Sequence, residues 1–181
     1  MRKIASRLAL SIIDSKVLFP PNSINRNSFA EILNKEFQNI KVDVIFDLVK
    51  QATLQKHGTM IVVSDHAEQE MKRLCSTGYE IRYKKKEESY IEYITAIDGS
   101  VLVNSNGEIL GIGVILDGES SDECEINNSR GARYNSAIKY TYTRGKKEKC
   151  IAVVISEDGD INIIKDGKEI SITHERSDEN K

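Results

Sequence analysis

The spacing of apolar residues changes along the chain, and each change marks an element. Ile4, Leu8 and Ile12, with Ile13, fall at helical intervals and predict a first helix within residues 1–18, closed by Pro20-Pro21. After the turn-like stretch Ser23 to Asn27, Phe29, Ile32, Leu33 and Phe37 make a second helical stripe. Val44, Ile45, Leu48, Val49 and Ala52 make a third, running to His57-Gly58 with Gly58 as its left-handed C-cap. The period then shortens. Met60-Ile61-Val62-Val63 is a continuous, mostly β-branched run, as in a strand buried on both faces. Ser64-Asp65 caps the next helix, whose inner side is Ala67, Met71 and Leu74 and which Gly78 closes.

Residues 91–117 read as a β-hairpin. Val101-Leu102-Val103 is one strand, Asn104-Ser105-Asn106-Gly107 the turn, and Ile109 to Leu116 the return. Gly111 and Gly113 weaken that return strand, which marks a bulge or the close approach of another backbone or a ligand. The tyrosines near 79–93 read as half-buried sheet positions. Polar residues 118–129 precede a helix opened by Arg130 to Ala137. Cys150 to Ile155 is the most strand-like run, Ser156 to Asp160 a turn, and Ile161 to Ile164 its returning partner. The fold class is therefore α/β (α+β): a central mixed β-sheet flanked by helices. Residues 1–57 form an N-terminal helical extension, 58–172 the main domain, and 173–181 a polar, disordered tail.

Composition narrows the function. The chain of 181 residues is 39% hydrophobic and 30% charged, enough for one soluble domain. Its net charge of -2, with 26 Lys+Arg against 28 Asp+Glu, argues against bulk electrostatic binding of nucleic acid. No apolar run reaches the length of a membrane helix. Cys75, Cys124 and Cys150 are scattered, with no CxxC pair, which fits reduced thiols and a cytoplasmic setting. Cys75 and Cys150 lie in apolar stretches and read as small core residues. His57, His66 and His174 have no partner at metal-ligand spacing.

Four segments could carry chemistry. Asp98-Gly99-Ser100 precedes a buried strand, where an aspartate beside glycine can hold a divalent metal or a ligand hydroxyl. On its own it is more often an ordinary turn. Arg130-Gly131-Ala132-Arg133 offers two guanidinium groups and free amides at a helix start, which suit phosphate oxygens, though a surface ion-pair patch has the same composition. Ser156-Glu157-Asp158 puts a carboxylate after the strongest strand, as does an ordinary polar hairpin turn. Gly113-Val114-Ile115-Leu116-Asp117 could present backbone groups to a purine edge or be simply a core strand. The glycine-rich phosphate loops and the common hydrolase motifs are absent.

Taken in order, these segments resemble the diadenylate cyclase domain, the nucleotide-binding domain of the DNA-integrity-scanning protein, from about Gly58 to Ile164. Gly58-Thr59-Met60-Ile61-Val62-Val63 is similar to the family's opening strand, Asp98-Gly99-Ser100 to its Asp-Gly-Ala motif, and Gly113 to Leu116 to its strand beside the adenine. Gly131-Ala132-Arg133-Tyr134-Asn135-Ser136-Ala137 resembles its Gly-Thr-Arg-His-Arg-Ala-Ala stretch, and Ile155-Ser156-Glu157 its Ser-Glu-Glu turn. The resemblance implies joining of two ATP into cyclic di-AMP with release of two pyrophosphates, in a homo-oligomer whose half-sites meet face to face. It implies Mg²⁺ or Mn²⁺ held by Asp98 and Glu157, with Asp98, Arg133 and Glu157 catalytic. Nucleotide contacts would come from Gly99, Ser100, Leu116, Asp117, Arg130, Gly131, Ala132, Tyr134, Asn135 and Ser156. The sequence departs from the pattern at Ala132, Tyr134, Asn135 and Ser100, which marks a divergent branch. Tyr134 and Asn135 stand where the family has His and Arg. That leaves a second expectation beside the cyclase: a sensor that binds ATP or cyclic di-AMP without turning it over.

Overall fold

The computed structural model describes residues 11–13, 16–18, 24–54, 57–83, 89–157 and 159–170. Its framework is a seven-stranded mixed sheet between two helical layers. In chain order the elements are strands β1 (Ser11–Ile13) and β2 (Lys16–Leu18), helices α1 (Arg26–Glu36) and α2 (Val42–Ala52), strand β3 (Thr59–Ser64), helix α3 (Ala67–Arg73), strand β4 (Tyr79–Tyr83), helix α4 (Ser89–Thr95), strands β5 (Ser100–Val103) and β6 (Ile109–Val114), helix α5 (Ala132–Gly145), and strands β7 (Cys150–Ile155), β8 (Ile161–Lys165) and β9 (Lys168–Ile170). The large sheet runs β4-β6-β5-β3-β7-β8-β9, with β3 and β5 parallel and every other neighbour antiparallel.

The alternation of side chains along each strand divides the core in two. Ile61 and Val63 of β3, with Val101, Val103, Ile151 and Val153, face α1, α2 and α4 and meet Phe29, Leu33, Ile45, Leu48 and Ile91. Met60 and Val62, with Leu102, Ala152 and Val154, face α3 and α5 and meet Met71, Leu74, Ala137, Ile138 and Tyr140. Both faces are covered, so β3 and β7 are buried at every position. Residues before position 58 thus share a core with the sheet.

Most helices fall where the apolar spacing puts them. Asn25 caps α1: its Oδ1 accepts the amides of Asn27 at 2.9 Å and Ser28 at 3.1 Å. Asn25→Ala is expected to cost about 1 kcal/mol, read as a lower denaturation midpoint at an unchanged denaturant slope.

Several expectations need correction. Residues 11–13 and 16–18 pair as an antiparallel ladder, Ser11 opposite Leu18, and are not helical. Ile12, Ile13 and Val17 are β-branched, and such residues lose side-chain freedom in a helix. Ile4 and Leu8 lie outside the described residues, as do residues 19–23, 84–88, Asp158 and 171–181, which include the polar tail 173–181. Helix α2 stops at Ala52, so Gly58 does not cap it; Gly58 is buried at the entrance to β3. The segment 91–95 belongs to α4, not to a hairpin. Its β-forming composition is overridden by spacing: Ile91 and Thr95 point inward one helical turn apart, and Thr95 Oγ1 donates to the Ile91 carbonyl at 2.8 Å. Ser64 does not cap α3, which has no side-chain cap; its Oγ accepts the His66 amide at 3.0 Å. Cys75 is exposed, because Met71 and Leu74 take the inward side of that helix end. Tyr79 and Tyr93 are exposed rather than half-buried.

Candidate active site at the Asp98–Arg133 edge

Strand register brings the chemical segments together. Met60 lies beside Ser100, Ser100 beside Val114, and Thr59 beside Ile155. The residues entering β3 and β5 and those leaving β6 and β7 therefore share one end of the sheet. They are Gly58, Asp98-Gly99, Ile115 to Asp117, and Ser156-Glu157. Helix α5 starts at the same end and delivers Arg133.

The decisive contact joins Arg133 to Asp98, with Nη2 donating to Oδ1 at 2.9 Å. Oδ1 also accepts the Gly99 amide at 3.0 Å. The Asp98 side chain is 91% exposed and that of Arg133 is 32% exposed, so the pair sits at the surface with its aspartate outermost. Arg133 Nε is buried with no hydrogen-bond partner among the described residues. Gly58 gives the guanidinium its room: a Cβ there would lie 3.4 Å from Arg133 Nη1, 3.0 Å from the Ile155 carbonyl oxygen and 3.3 Å from the Glu157 amide nitrogen. Glu157 itself is exposed beside this cleft.

Two glycines hold Asp98 against β6. Gly99 has φ +107, and a Cβ on it would come within 2.6 Å of the Gly113 carbonyl carbon. Gly113 has φ +64 and lies where the β5–β6 pairing shifts register. The close approach anticipated from Gly113 is thus made by the backbone before β5.

Residues 47–169 match the sequence model of the family described as the DAC, or DisA bacterial checkpoint controller nucleotide-binding, domain. The chain belongs to this family. A double mutant of DacA from Staphylococcus aureus superposes with a TM-score of 0.56 at 20% identity, over 71% of this chain and 85% of that one. A hypothetical membrane spanning protein from Bacillus cereus superposes with a TM-score of 0.59 at 22% identity, over 80% and 71%. These two likenesses establish the α+β fold. No curated protein sequence matches the chain. Among the described residues, no helix of this DAC domain is long and apolar enough to cross a membrane.

The remaining candidate residues of the DAC domain divide by what holds them. Gly131 precedes α5 as an N-cap without a side-chain bond, and a Cβ there would meet nothing within 4 Å. It and the exposed Ala132 leave the first-turn amides of a 14-residue helix open beside Arg133. Ser100 is buried and donates from Oγ to the Val114 carbonyl at 2.9 Å, and Leu116 is buried against the α5 face of the core. Asp117 is bound to Arg73 by two bonds, of 2.5 and 2.7 Å. Ser156 closes its own turn, with Oγ accepting the Asp160 amide at 3.0 Å.

Tyr134 and Asn135 bond within the fold. Tyr134 is buried, its hydroxyl donates to Glu169 at 2.9 Å, and burial together with that carboxylate pushes its phenol pKa up to about 12. Asn135 organises the loop before α5: its Oδ1 accepts the Asn127 amide and its Nδ2 donates to the carbonyls of Asn127 and Arg130. Arg130 packs on Tyr134 and faces Glu169. Its guanidinium lies 5.1 Å from the Tyr134 ring centre and 3.8 Å from Glu169. Arg73, which holds Asp117, and its partner Glu70 were not picked out by the sequence. Their signal was weak, an acidic and a basic residue three apart on a short helix.

Proposed function

We propose that this DAC domain binds ATP at the Asp98–Arg133 edge and that two copies, face to face, condense two ATP into cyclic di-AMP and two pyrophosphates. The observation that carries it is the surface pair itself: a carboxylate and a guanidinium in contact at a glycine-lined edge, beside an uncapped helix start. Arg133 and the α5 amides suit phosphate oxygens. Asp98 suits the ribose hydroxyl that attacks, or a cation beside it. The described residues hold one such pair, and a cyclic product needs two phosphodiester bonds, so two copies are called for.

A divalent cation fits this donor set only as a nucleotide-borne ion. The described residues hold no group of three or more His, Cys, Asp or Glu that would form a cage. Magnesium, however, commonly takes one or two carboxylates together with substrate phosphates. Asp98, whose Oδ2 makes no hydrogen bond among the described residues, and the exposed Glu157 would hold it. It would stabilise charge gathering on the phosphate oxygens. Arg133 orients the phosphates, and the Gly99–Gly113 contact fixes where Asp98 stands. In-line placement of hydroxyl and phosphorus supplies much of the remaining acceleration.

The test is purified full-length chain with ATP and Mn²⁺, with products identified by mass spectrometry. Cyclic di-AMP should form at a rate rising faster than linearly with protein concentration. No product at concentrations where dimers form would eliminate the cyclase. A second reading is favoured by Tyr134 and Asn135, which spend their polar atoms on Glu169 and the 127–130 loop and bring no cation to the site. In that reading the domain senses ATP or cyclic di-AMP. Calorimetry would then show binding without turnover, and absence of binding to either ligand would remove this reading too.

A further inference from the structure

Away from the site lies a buried ionic network that the chemistry above does not use. Glu70, on α3, is 1% exposed. Its carboxylate accepts from Arg73 Nε at 3.0 Å and Nη2 at 2.8 Å, from the Tyr140 hydroxyl at 2.9 Å, and from Arg144 Nη2. Tyr140 and Arg144 belong to α5, the helix that carries Arg133 at its other end. Arg73 in turn grips Asp117 through two hydrogen bonds.

Asp117 lies on the segment leaving β6, and that segment is tied down along its length. Thr77 Oγ1 donates to the Ile115 carbonyl at 3.1 Å. Gly118 lies so close to α5 that a Cβ would come within 2.5 Å of the Lys139 carbonyl carbon. The Glu119 amide donates to Thr143 Oγ1 at 2.9 Å. At its other end the segment continues from the end of β6, where Gly113 is the residue against which Gly99 packs beside Asp98. One carboxylate therefore reaches both halves of the site: Arg133 through α5, and Asp98 through Arg73, Asp117 and the β6 exit.

We propose that Glu70 is a positioning residue whose bonds to α5 and, through Arg73, to Asp117 set the spacing of Asp98 and Arg133. It rests on the proposed site but not on turnover. A buried charge with four donor groups from three side chains has a single low-energy arrangement, since each bond lost leaves a desolvated group unpaired. The helix and the strand exit are thereby fixed relative to each other. The same apolar surfaces could otherwise slide, because apolar contact is not directional.

Asp117 offers the clean perturbation, because its side chain is 61% exposed and its loss buries no new charge. Nitrogen–proton spectra of the full chain are recorded for wild type, Asp117→Ala, Asp117→Glu and Glu70→Gln. The expected result is a displaced or broadened Arg133 Nε–H and Gly99 amide in Asp117→Ala and Glu70→Gln, with partial return in Asp117→Glu. Turnover of ATP is measured alongside, and kcat should fall about tenfold in Asp117→Ala with KM within threefold. Unmoved Arg133 and Gly99 signals in a folded Asp117→Ala overturn the proposal, as does an unchanged kcat in an active enzyme. Displaced signals in a protein whose wild type makes no product leave positioning intact and remove only the cyclase.

Discussion

Cyclic di-AMP formation should fall by about 100-fold or more in Asp98→Ala, the scale on which a group meeting transition-state charge acts. The fold should not notice. The side chain is 91% exposed, and its partners are the Gly99 amide and one surface guanidinium. Exposed ion pairs contribute less than about 1 kcal/mol. The thermal midpoint should therefore stay within a few degrees of wild type while product disappears, and mass spectrometry with scanning calorimetry reads both. A variant that keeps its rate would move the attacking hydroxyl and the cation away from Asp98. Should the wild type bind but not turn over, Asp98→Ala should instead weaken Mn²⁺-dependent ATP binding.

Glu70→Ala should do the opposite and strike stability first. Removing one partner of a buried ion pair costs about 3–5 kcal/mol, because the charge left behind has no counterpart. Here Arg73 keeps Asp117 and Arg144 keeps Glu148 at 2.8 Å, which places the loss near the lower end, about 3 kcal/mol. For a chain of this length that is a fall of about 6–12 °C in the thermal midpoint. The same carboxylate sets an acid limit. Burial pushes the Glu70 pKa up, but the hydrogen bonds from Arg73 and Tyr140 and the charge of Arg144 outweigh it, and the net shift is downward from 4.5. Asp117 is also lowered, chiefly by the Arg73 hydrogen bonds. Folding thus favours both ionised forms. Their contribution is full above the unfolded values and is lost as pH falls through the folded ones. Stability of the wild type should drop below about pH 4.5, and Glu70→Gln should show a shallower acid slope in denaturant titrations. Equal slopes would assign the acid limit to other carboxylates.

The sheet was legible because its signal is local. Met60 to Val63 and Cys150 to Ile155 are short, rich in β-branched residues and apolar at every position, as a strand covered on both faces requires. The hairpin turn was legible for a similar reason, since Gly107 supplies the φ of +76 that the turn demands. Helix α4 was hidden because tyrosine and isoleucine favour strands, and only the 91/95 spacing reveals which side is buried. At the site, Asp98 and Arg133 could be named only from the family resemblance of the segments in order, since Asp98 alone reads as a turn residue, and the structure joins them. The roles of Tyr134 and Asn135 could not, because their partners Glu169 and Asn127 are fixed only by packing. Asp117 is the same case: Arg73 lies far away in sequence and is brought near by the sheet.

The parallel pairing of β3 with β5 also governs how the molecule comes together. Antiparallel neighbours such as β5–β6 and β7–β8–β9 close over short turns, whereas β3 and β5 can meet only after the intervening α3, β4 and α4 have been looped out. Gly58 and Asp98 sit at the heads of those two strands, and Glu157 at the foot of a third. Local hairpins can assemble with none of these three in proximity. The site is thus a product of the slow, long-range step of folding, and a chain cleaved between α3 and β5 would keep its hairpins while losing the Asp98–Arg133 edge.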